Sequence, residues 1–553
     1  MLTITLKKNS HYLKKIAIAN EMTIAELADD KSLRENLILA FKINEIFSEP
    51  ETLIKTDCTL DVITIESLEG FRIYQDTALF ILMKAFHKVM PENIKLVVEH
   101  SVGDGVFCEI FGGHQATEED AEVLEKAMWA IIERALPIKK ENLGVNDLVS
   151  IFEKFHRKYV IKNLKHQFDK PNCIYKCGDY YDLWIRQLGF NTSLIRNFKI
   201  EHKKTGLLIR FPQFQKFAIE EEHLFPIKLF NVHQEYDKWL NVLKSHYVSE
   251  LNEYVEYGGI TDFILTEEAL QESKIVKMAE YIKDHSEAKL VLIAGPSSSG
   301  KTTFAKRLSI QLKAHEISPI VVSMDNYFLP RTQTPRKPDG ELDFESIYAM
   351  DLDLLNHDLQ AMLSGEEVEL PRYNFIKGVR ESSNEFVRLE EKQIIIMEGI
   401  HGINEQLTKQ IPHSQKIKIY ITALNQLNID EHNRIPTSDT RKIRRIVRDF
   451  HFRGYSAEET LMRWASIREG EEKYIFPFQE DADIIFNSAL TYELGVLKPI
   501  ALPLLMRIPQ KSHVYMEAER LKNILLNFVN INLNIVPINS LLREFTGGSI
   551  FKY

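Results

Sequence analysis

Residues 289–308 read KLVLIAGPSSSGKTTFAKRL. The apolar run over residues 290–294 is the pattern of a strand buried on both faces. A loop of Gly295, Pro296, three serines and Gly300 follows, then Lys301, Thr302 and a helical spacing of apolar residues. Glycines at both ends of such a loop let backbone N–H groups turn inward around phosphate oxygens, and the next helix adds the positive end of its dipole. In that context Lys301 reaches the β and γ phosphates of a nucleotide, and the Thr302 hydroxyl can ligate Mg²⁺. Gly295, Ser297, Ser298, Ser299, Gly300, Lys301, Thr302 and Thr303 form the expected nucleotide-binding set. A plain Gly/Ser turn before a helix is the alternative, but it does not call for all the fixed positions of G-x4-G-K-T at once.

Outward from this loop, strand and helix patterns alternate to about residue 494, which predicts a parallel sheet with helices on both faces. Ligands of such a sheet sit beyond the carboxyl ends of its strands. Two more strand patterns end in carboxylates: PIVVSMD at Asp325 and QIIIMEG at Glu398. Either can hold Mg²⁺ or act on a substrate hydroxyl, because an alcohol nucleophile needs a nearby carboxylate to take its proton during phosphoryl transfer. A lone strand-end acid more often only caps an element; its convergence with a phosphate loop gives the pair a function.

Further on, DTRKIRRIVRDFHFRG (residues 439–454) spaces Arg441, Arg444, Arg445 and Arg448 three or four apart, on one face of a helix. Arginine suits bidentate phosphate contacts. The spacing predicts a lid closing over ATP. A solvated face paired with Asp439, Asp449 and Glu458 is the competing reading.

The 553 residues predict two to four domains. Hydrophobic residues make up 44%, charged residues 27%, and the net charge is −10, which argues against a dedicated nucleic-acid binder. Four cysteines make no disulfide framework, and Cys173 and Cys177 lack a second Cys or His pair at zinc-ribbon spacing. The start, MLTITLKKNS, lacks the apolar core of a signal peptide, and no apolar run approaches membrane-helix length. The cytoplasm is the expected compartment.

The pattern divides the chain into 1–66, 67–225, a helical connector at 226–287, the strand–helix region 288–494, and an appendage at 495–553. TLDVITI reads as a strand and MTIAELADD as a capped helix. Helices are expected from about Asp76 to Val89 and from Glu118 to Leu136, with hairpin turns in VGDGVFCEIFGG. EALQESKIVKMAEYIKDH reads as an amphipathic helix, and the tail NSLLREFTGGSIFKY carries no readable pattern.

GPSSSGKTT, SMDNYF, LDFESIYAMD, LPRYNF, IIIMEGIHG, DTRKIRRIVRDFHFRG and DADIIF, in this order from about residue 289 to 487, resemble the uridine kinase/phosphoribulokinase family. The resemblance implies ATP·Mg²⁺ as donor and a nucleoside 5′-hydroxyl as acceptor. It matches Asp325 to the base for that hydroxyl, and Glu398 to the strand-end acid near Mg²⁺. Glu345 stands where the family has an Asp that grips ribose hydroxyls, with Asp343 as a second candidate. Tyr373 and Phe375 match the aromatic wall of the nucleoside pocket, Arg380 its arginine, and Tyr327 of SMDNYF joins the substrate set. The arginines from Arg441 to Arg453 match the lid. Gly378 departs from the pattern, standing where uridine kinases carry a His that contacts the pyrimidine. A sugar phosphate or pantothenate is the rival acceptor, and an RNA-associated NTP-binding switch the rival class.

Residues 1–215 resemble the N-terminal half of threonyl-tRNA synthetase. MTIAELADD, LAFKINEIF and CTLDVITI are similar to its ubiquitin-like TGS domain, implying a β-grasp fold over 1–66. VGDGVFCEI, KAMWAIIERALPI and YKCGDYYDLW are similar to its editing domain, implying an α+β fold after residue 66. The four metal-binding positions of that editing domain are Gln75, Leu79, Trp184 and Leu188 here, so the resemblance implies neither zinc nor editing. Docking, ligand sensing, an RNA contact through this half and a homo-oligomer all remain compatible with it.

Overall fold

The computed structural model describes residues 2–28, 33, 36–166, 172–214, 216–221, 225–337 and 340–552. Its centre is a five-stranded, all-parallel sheet. In spatial order the strands are Ser318–Ser323, Gln393–Gly399, Leu290–Ala294, Lys416–Thr422 and Ile484–Asn487. The phosphate-loop strand is central, and Leu290 to Ala294 are all buried. Alternate side chains serve opposite faces. Leu290 and Leu292 pack with Met324, Leu355, Leu359 and Met397, whereas Val291 and Ile293 pack with Phe304, Leu308 and Ile419. Helices thus cover both faces, as the alternating pattern predicts.

The connector's last helix, Ile260–Asp284, does not stand apart from this sheet. Its stripe of Ile275, Met278, Ala279 and Ile282 shares the core of the phosphate-loop helix Lys301–Ala314. Arg307 of that helix bonds Glu272 at 3.0 Å through Nε and Gln271 at 2.9 Å. The appendage is likewise built in. Val496, Leu497, Leu521 and Phe545 close a core with Ile443, Ile446 and Val447 of the arginine helix Thr437–Phe452.

Towards the amino terminus, a mixed five-stranded sheet of strands between residues 2 and 64 carries the short helix Ile24–Ala28. Glu26 caps that helix by accepting from the Thr23 N–H at 2.7 Å; Asp29 and Asp30 of MTIAELADD lie outside the described residues. A four-stranded antiparallel sheet (residues 95–111 and 199–210) and a three-stranded one (residues 139–183) follow. Two long helices pack on them. The first begins at Leu68, eight residues before the expected Asp76, because Ser67 caps it by accepting from the Gly70 N–H at 3.0 Å. The second ends at Ile132 rather than Leu136, as the chain turns through Ala135 at a φ of 48°. Its start carries the capping box of Thr117 and Asp120.

Candidate functional site: a phosphate loop facing two carboxylates

Gly295 leaves the sheet with no room for a side chain, since a Cβ there would lie 2.2 Å from the Ile421 carbonyl oxygen. Gly300 enters the helix at a φ of 86°, a left-handed conformation that glycine adopts without strain. The loop between them is packed with polar atoms. The hydroxyls of Ser298 and Ser299 are buried without a hydrogen-bond partner. Lys301 Nζ donates to the carbonyls of Gly295 at 2.9 Å and Pro296 at 3.2 Å.

Beyond the strand ends, Thr302 Oγ1 donates to Glu398 Oε1 at 3.4 Å. Burial, together with the neighbouring Asp325 charge, pushes the Glu398 carboxyl up to about 7. Asp325 is raised too; crowding by protein outweighs the pull of Lys301 and Arg453, although its side chain still opens to the cleft. Burial lowers the Lys301 ammonium, and Glu398 and Asp325 oppose that. One lysine and two carboxylates therefore hold a shared charge balance at the mouth of the loop. Glu345 joins the same field, pushed up to about 7 by burial and the Glu471 charge. It comes close because Gly470 has no side chain; a Cβ there would meet Glu345 Cβ at 2.3 Å. Asp343 instead lends its charge to Lys473.

Arg441 and Arg444 of the arginine helix are buried and Arg445 and Arg448 half-buried, so the stripe is not a solvated face. Arg441 donates from Nε to the Ser297 carbonyl at 2.9 Å and from Nη1 to Glu471 at 3.0 Å. Arg444 pairs with Glu493 at 2.6 Å and reaches the Ser298 carbonyl at 3.4 Å. Arg445 donates to Ser297 Oγ at 2.5 Å and pairs with Asp449. Arg448 also meets Asp449, and burial beside Arg453 brings it down to about 10. Asp439, a partner expected for the stripe, pairs instead with Arg520 and Lys442. Arg441 and Arg444 thus brace the phosphate loop through the Ser297 and Ser298 carbonyls, Arg445 reaches the Ser297 hydroxyl, and Arg448 stays on Asp449.

On the acceptor side, Tyr373 and Phe375 lie with ring centroids 5.0 Å apart, and Phe328 packs edge-on at 6.4 Å from Phe375. Tyr373 is buried with its hydroxyl unpartnered, whereas Phe375 is exposed. Arg380 donates to Asp351 at 2.9 Å. Tyr327 is drawn away into the core, its hydroxyl on Asp358 at 3.2 Å. The Arg331 side chain runs over Gly378, where a Cβ would lie 2.4 Å from Arg331 Cδ.

Three groups escaped the sequence reading. Glu471 accepts from the Ser297 N–H at 3.1 Å. Glu544, from the uninterpreted tail, accepts from Thr303 N at 3.1 Å and Thr303 Oγ1 at 2.7 Å. Arg331 is the third. None belongs to a local motif; each reaches the site by tertiary packing. In the amino-terminal half, Leu79, Trp184 and Leu188 sit in one apolar core, with Gln75 half-buried beside Tyr74.

The profile of the Phosphoribulokinase / Uridine kinase family matches residues 290–494. A uridine kinase of Staphylococcus epidermidis is 28% identical over 197 residues, spanning 35% of this chain and 86% of that protein. A uridine kinase of Bacillus pumilus is 30% identical over 194 residues, spanning 35% and 83%. The solved structure of a possible uridine kinase from Bacillus stearothermophilus shares 18% identity, with a TM-score of 0.25, over 36% of this chain and 89% of its own.

Proposed function

This chain belongs to the phosphoribulokinase/uridine kinase family through residues 290–494, and on that premise we propose that it transfers the γ-phosphate of ATP to the 5′-hydroxyl of a nucleoside, of the uridine or cytidine type. The observation that carries the reading is the convergence of Lys301, Asp325 and Glu398 at the phosphate loop, with the Tyr373 N–H bonded at 3.3 Å to Asn326, the residue after Asp325.

The residues fit ATP and Mg²⁺. Ser298 and Ser299 hold buried hydroxyls that lack partners, as a site for phosphate oxygens would. Glu398 is a buried carboxyl next to Thr302 whose charge Lys301 only partly offsets, which suits a divalent cation; these two would hold it. Bound, the cation and nucleotide supply the transferable phosphoryl group and neutralise part of its charge. Asp325 accepts the acceptor hydroxyl's proton, and its raised affinity for protons makes it a better base. Lys301, Arg445 and Arg448 stabilise the transferring charge. Glu345 binds the acceptor's hydroxyls, and Phe375 covers its ring. Another small alcohol, such as a sugar phosphate or pantothenate, is the rival acceptor; the Arg331 guanidinium over Gly378 gives that reading its one specific support.

In this reading residues 1–66 are a TGS-like β-grasp domain and 67–225 an editing-like domain without its chemistry, serving as a sensor in a cytoplasmic enzyme. The apolar packing of Leu79, Trp184 and Leu188 supports the second part, since such side chains cannot ligate zinc. Measuring ADP release across a panel of nucleosides, sugar phosphates and pantothenate tests the acceptor. Stimulation by a pyrimidine nucleoside is expected; stimulation only by another alcohol would replace the acceptor, and none would sink the kinase reading.

A further inference from the structure

A half-open cavity of about 70 Å³ lies where the helix Leu68–Val89 meets the turn at 155–157 and the segment 430–432 of the kinase half. A water needs roughly 10–15 Å³ by this kind of measure, so the space holds about five waters or one small ring. Met83, Phe86, Ile94, Leu96 and Phe155 make its apolar lining. None of Gln75, Leu79, Trp184 and Leu188 lines it, so it is not the editing-like cleft.

We infer that this cavity binds a small, neutral, single-ring aromatic molecule bearing an amino or ring N–H donor, and that the kinase half senses its occupancy through Glu431.

The donor is called for by Glu431. Its side chain is 2% exposed, and Oε2 accepts from Arg157 Nε at 3.0 Å. Oε1 is buried and has no hydrogen-bond partner; Lys95 Nζ lies 4.0 Å away, too far to serve. Buried polar atoms in native proteins are rarely left unmet. The ligand's neutrality follows from the charges around it. Arg157 and Lys95 already flank Glu431, so a cation would be repelled; Glu431 and Glu92 repel an anion. The ring follows from the walls. His87 and Tyr180 pack edge-on to Phe155, with centroids 4.9 and 5.6 Å away. Burial lowers His87, which favours its neutral form. His156, on the rim, is held at a φ of 53°, the kind of strained backbone that gathers at functional sites.

The readout is built into the same residues. Arg157 also holds Asp182 at 2.7 Å and Asp430 at 2.8 Å, and the Val98 N–H donates to the Glu431 carbonyl at 2.9 Å. Asn433, two positions on, accepts from the Ile185 N–H and donates to the Leu183 carbonyl. This segment leads directly into the arginine helix that starts at Thr437 and braces the phosphate loop. A ligand that draws Glu431 towards the cavity therefore acts on the entry to that helix.

Calorimetry on the full chain tests the site with aniline and cytosine as neutral donors, benzylamine as a cation and benzoate as an anion. The neutral probes should bind at least about tenfold more tightly than either charged one. Leu96→Trp, which fills the cavity without replacing a residue of the ion cluster, should abolish binding while leaving the basal kinase activity of the folded protein unchanged. Met90→Trp at the cavity's edge serves if Leu96→Trp does not fold. Saturating aniline should shift the ATP KM of the wild type about twofold or more and that of the filled variant not at all. Preference for a charged probe, no binding by any probe, or undiminished binding in a folded filled variant would overturn the site. An ATP KM indifferent to saturation would overturn the coupling. Neither result bears on the acceptor, because ADP release without any probe reads that separately.

Discussion

Asp325 and Glu398 are both carboxylates at strand ends, and their surroundings separate their roles. Asp325 opens to the cleft and feels the opposite charges of Lys301 and Arg453. Replacing it with Asn removes the proton acceptor but little of the nucleotide site. Asp325→Asn should therefore lower kcat by about 10² or more with the ATP Kd nearly unchanged, in parallel turnover and equilibrium-binding assays. Weakened ATP binding with intact kcat would make Asp325 a cation-site residue instead. Glu398 titrates at about 7, above its usual range, because it is buried beside Asp325. A carboxyl raised by folding destabilises the folded state once it ionises. The cost is absent below the unfolded pKa near 4.5, grows between there and about 7, and is complete above 7. Glu398→Gln should thus raise Tm at pH 8 and not at pH 4, measured without Mg²⁺, while abolishing the gain in stability that Mg²⁺ gives the wild type. A lowered Tm at pH 8 would contradict the burial argument.

The elements divide by how local their causes are. The phosphate-loop strand, loop and helix were legible because every requirement lies in one stretch: the apolar run, Gly295, Gly300 and the helical spacing after Lys301. The parallel sheet was legible from the same alternation. The start of the helix Leu68–Val89 was misread because the apolar periodicity is clearer after Asp76, whereas the Ser67 cap sets the boundary. Glu471 and Glu544 were not legible at all, since long-range packing alone brings them to Ser297 and Thr303. The arginine stripe was legible as one face with Asp449 among its partners, but Glu471 and Glu493 were not, since later helices contribute them. Within the stripe, Arg441 and Arg444 bond carbonyls of the phosphate loop, whereas Arg445 and Arg448 share Asp449, and Arg445 also meets the Ser297 hydroxyl. The double charge reversal Arg445→Glu with Arg448→Glu should raise the ATP KM at least ~10-fold, as loss of charge-assisted bonds would. Nucleoside binding should change less. Equal effects on both substrates would assign the pair to the acceptor side.

At the scale of the whole molecule, the amino-terminal half is fastened directly to the kinase half, not only through the helices at 227–284. Arg157 is the charged centre of that fastening, beside the bonds of Val98 to Glu431 and of Asn433 to Leu183 and Ile185. Burial pushes the Asp182 carboxyl up, but Arg157 and His432 outweigh it and bring it down to about 2. Arg157→Ala would leave Asp182, Asp430 and Glu431 buried without their cation, at a cost of about 3–5 kcal/mol. A calorimetric scan should show the loss as a lowered Tm, with the two halves unfolding separately; a single unshifted transition would make the cluster incidental. Nothing in the sequence pairs Arg157 with residues 430–431, because the partners stand 273 and 274 positions apart and meet only after both halves fold. The central claim remains phosphoryl transfer from the phosphate loop to a nucleoside hydroxyl, and its most direct test is the product. The purified 553-residue chain with ATP, Mg²⁺ and uridine or cytidine, followed by phosphorus NMR, should yield ADP and a nucleoside 5′-monophosphate in equal amounts. Lys301→Ala, folded, should yield neither. ADP formed without any phosphorylated nucleoside, or product formed equally by the Lys301 variant, would contradict the account.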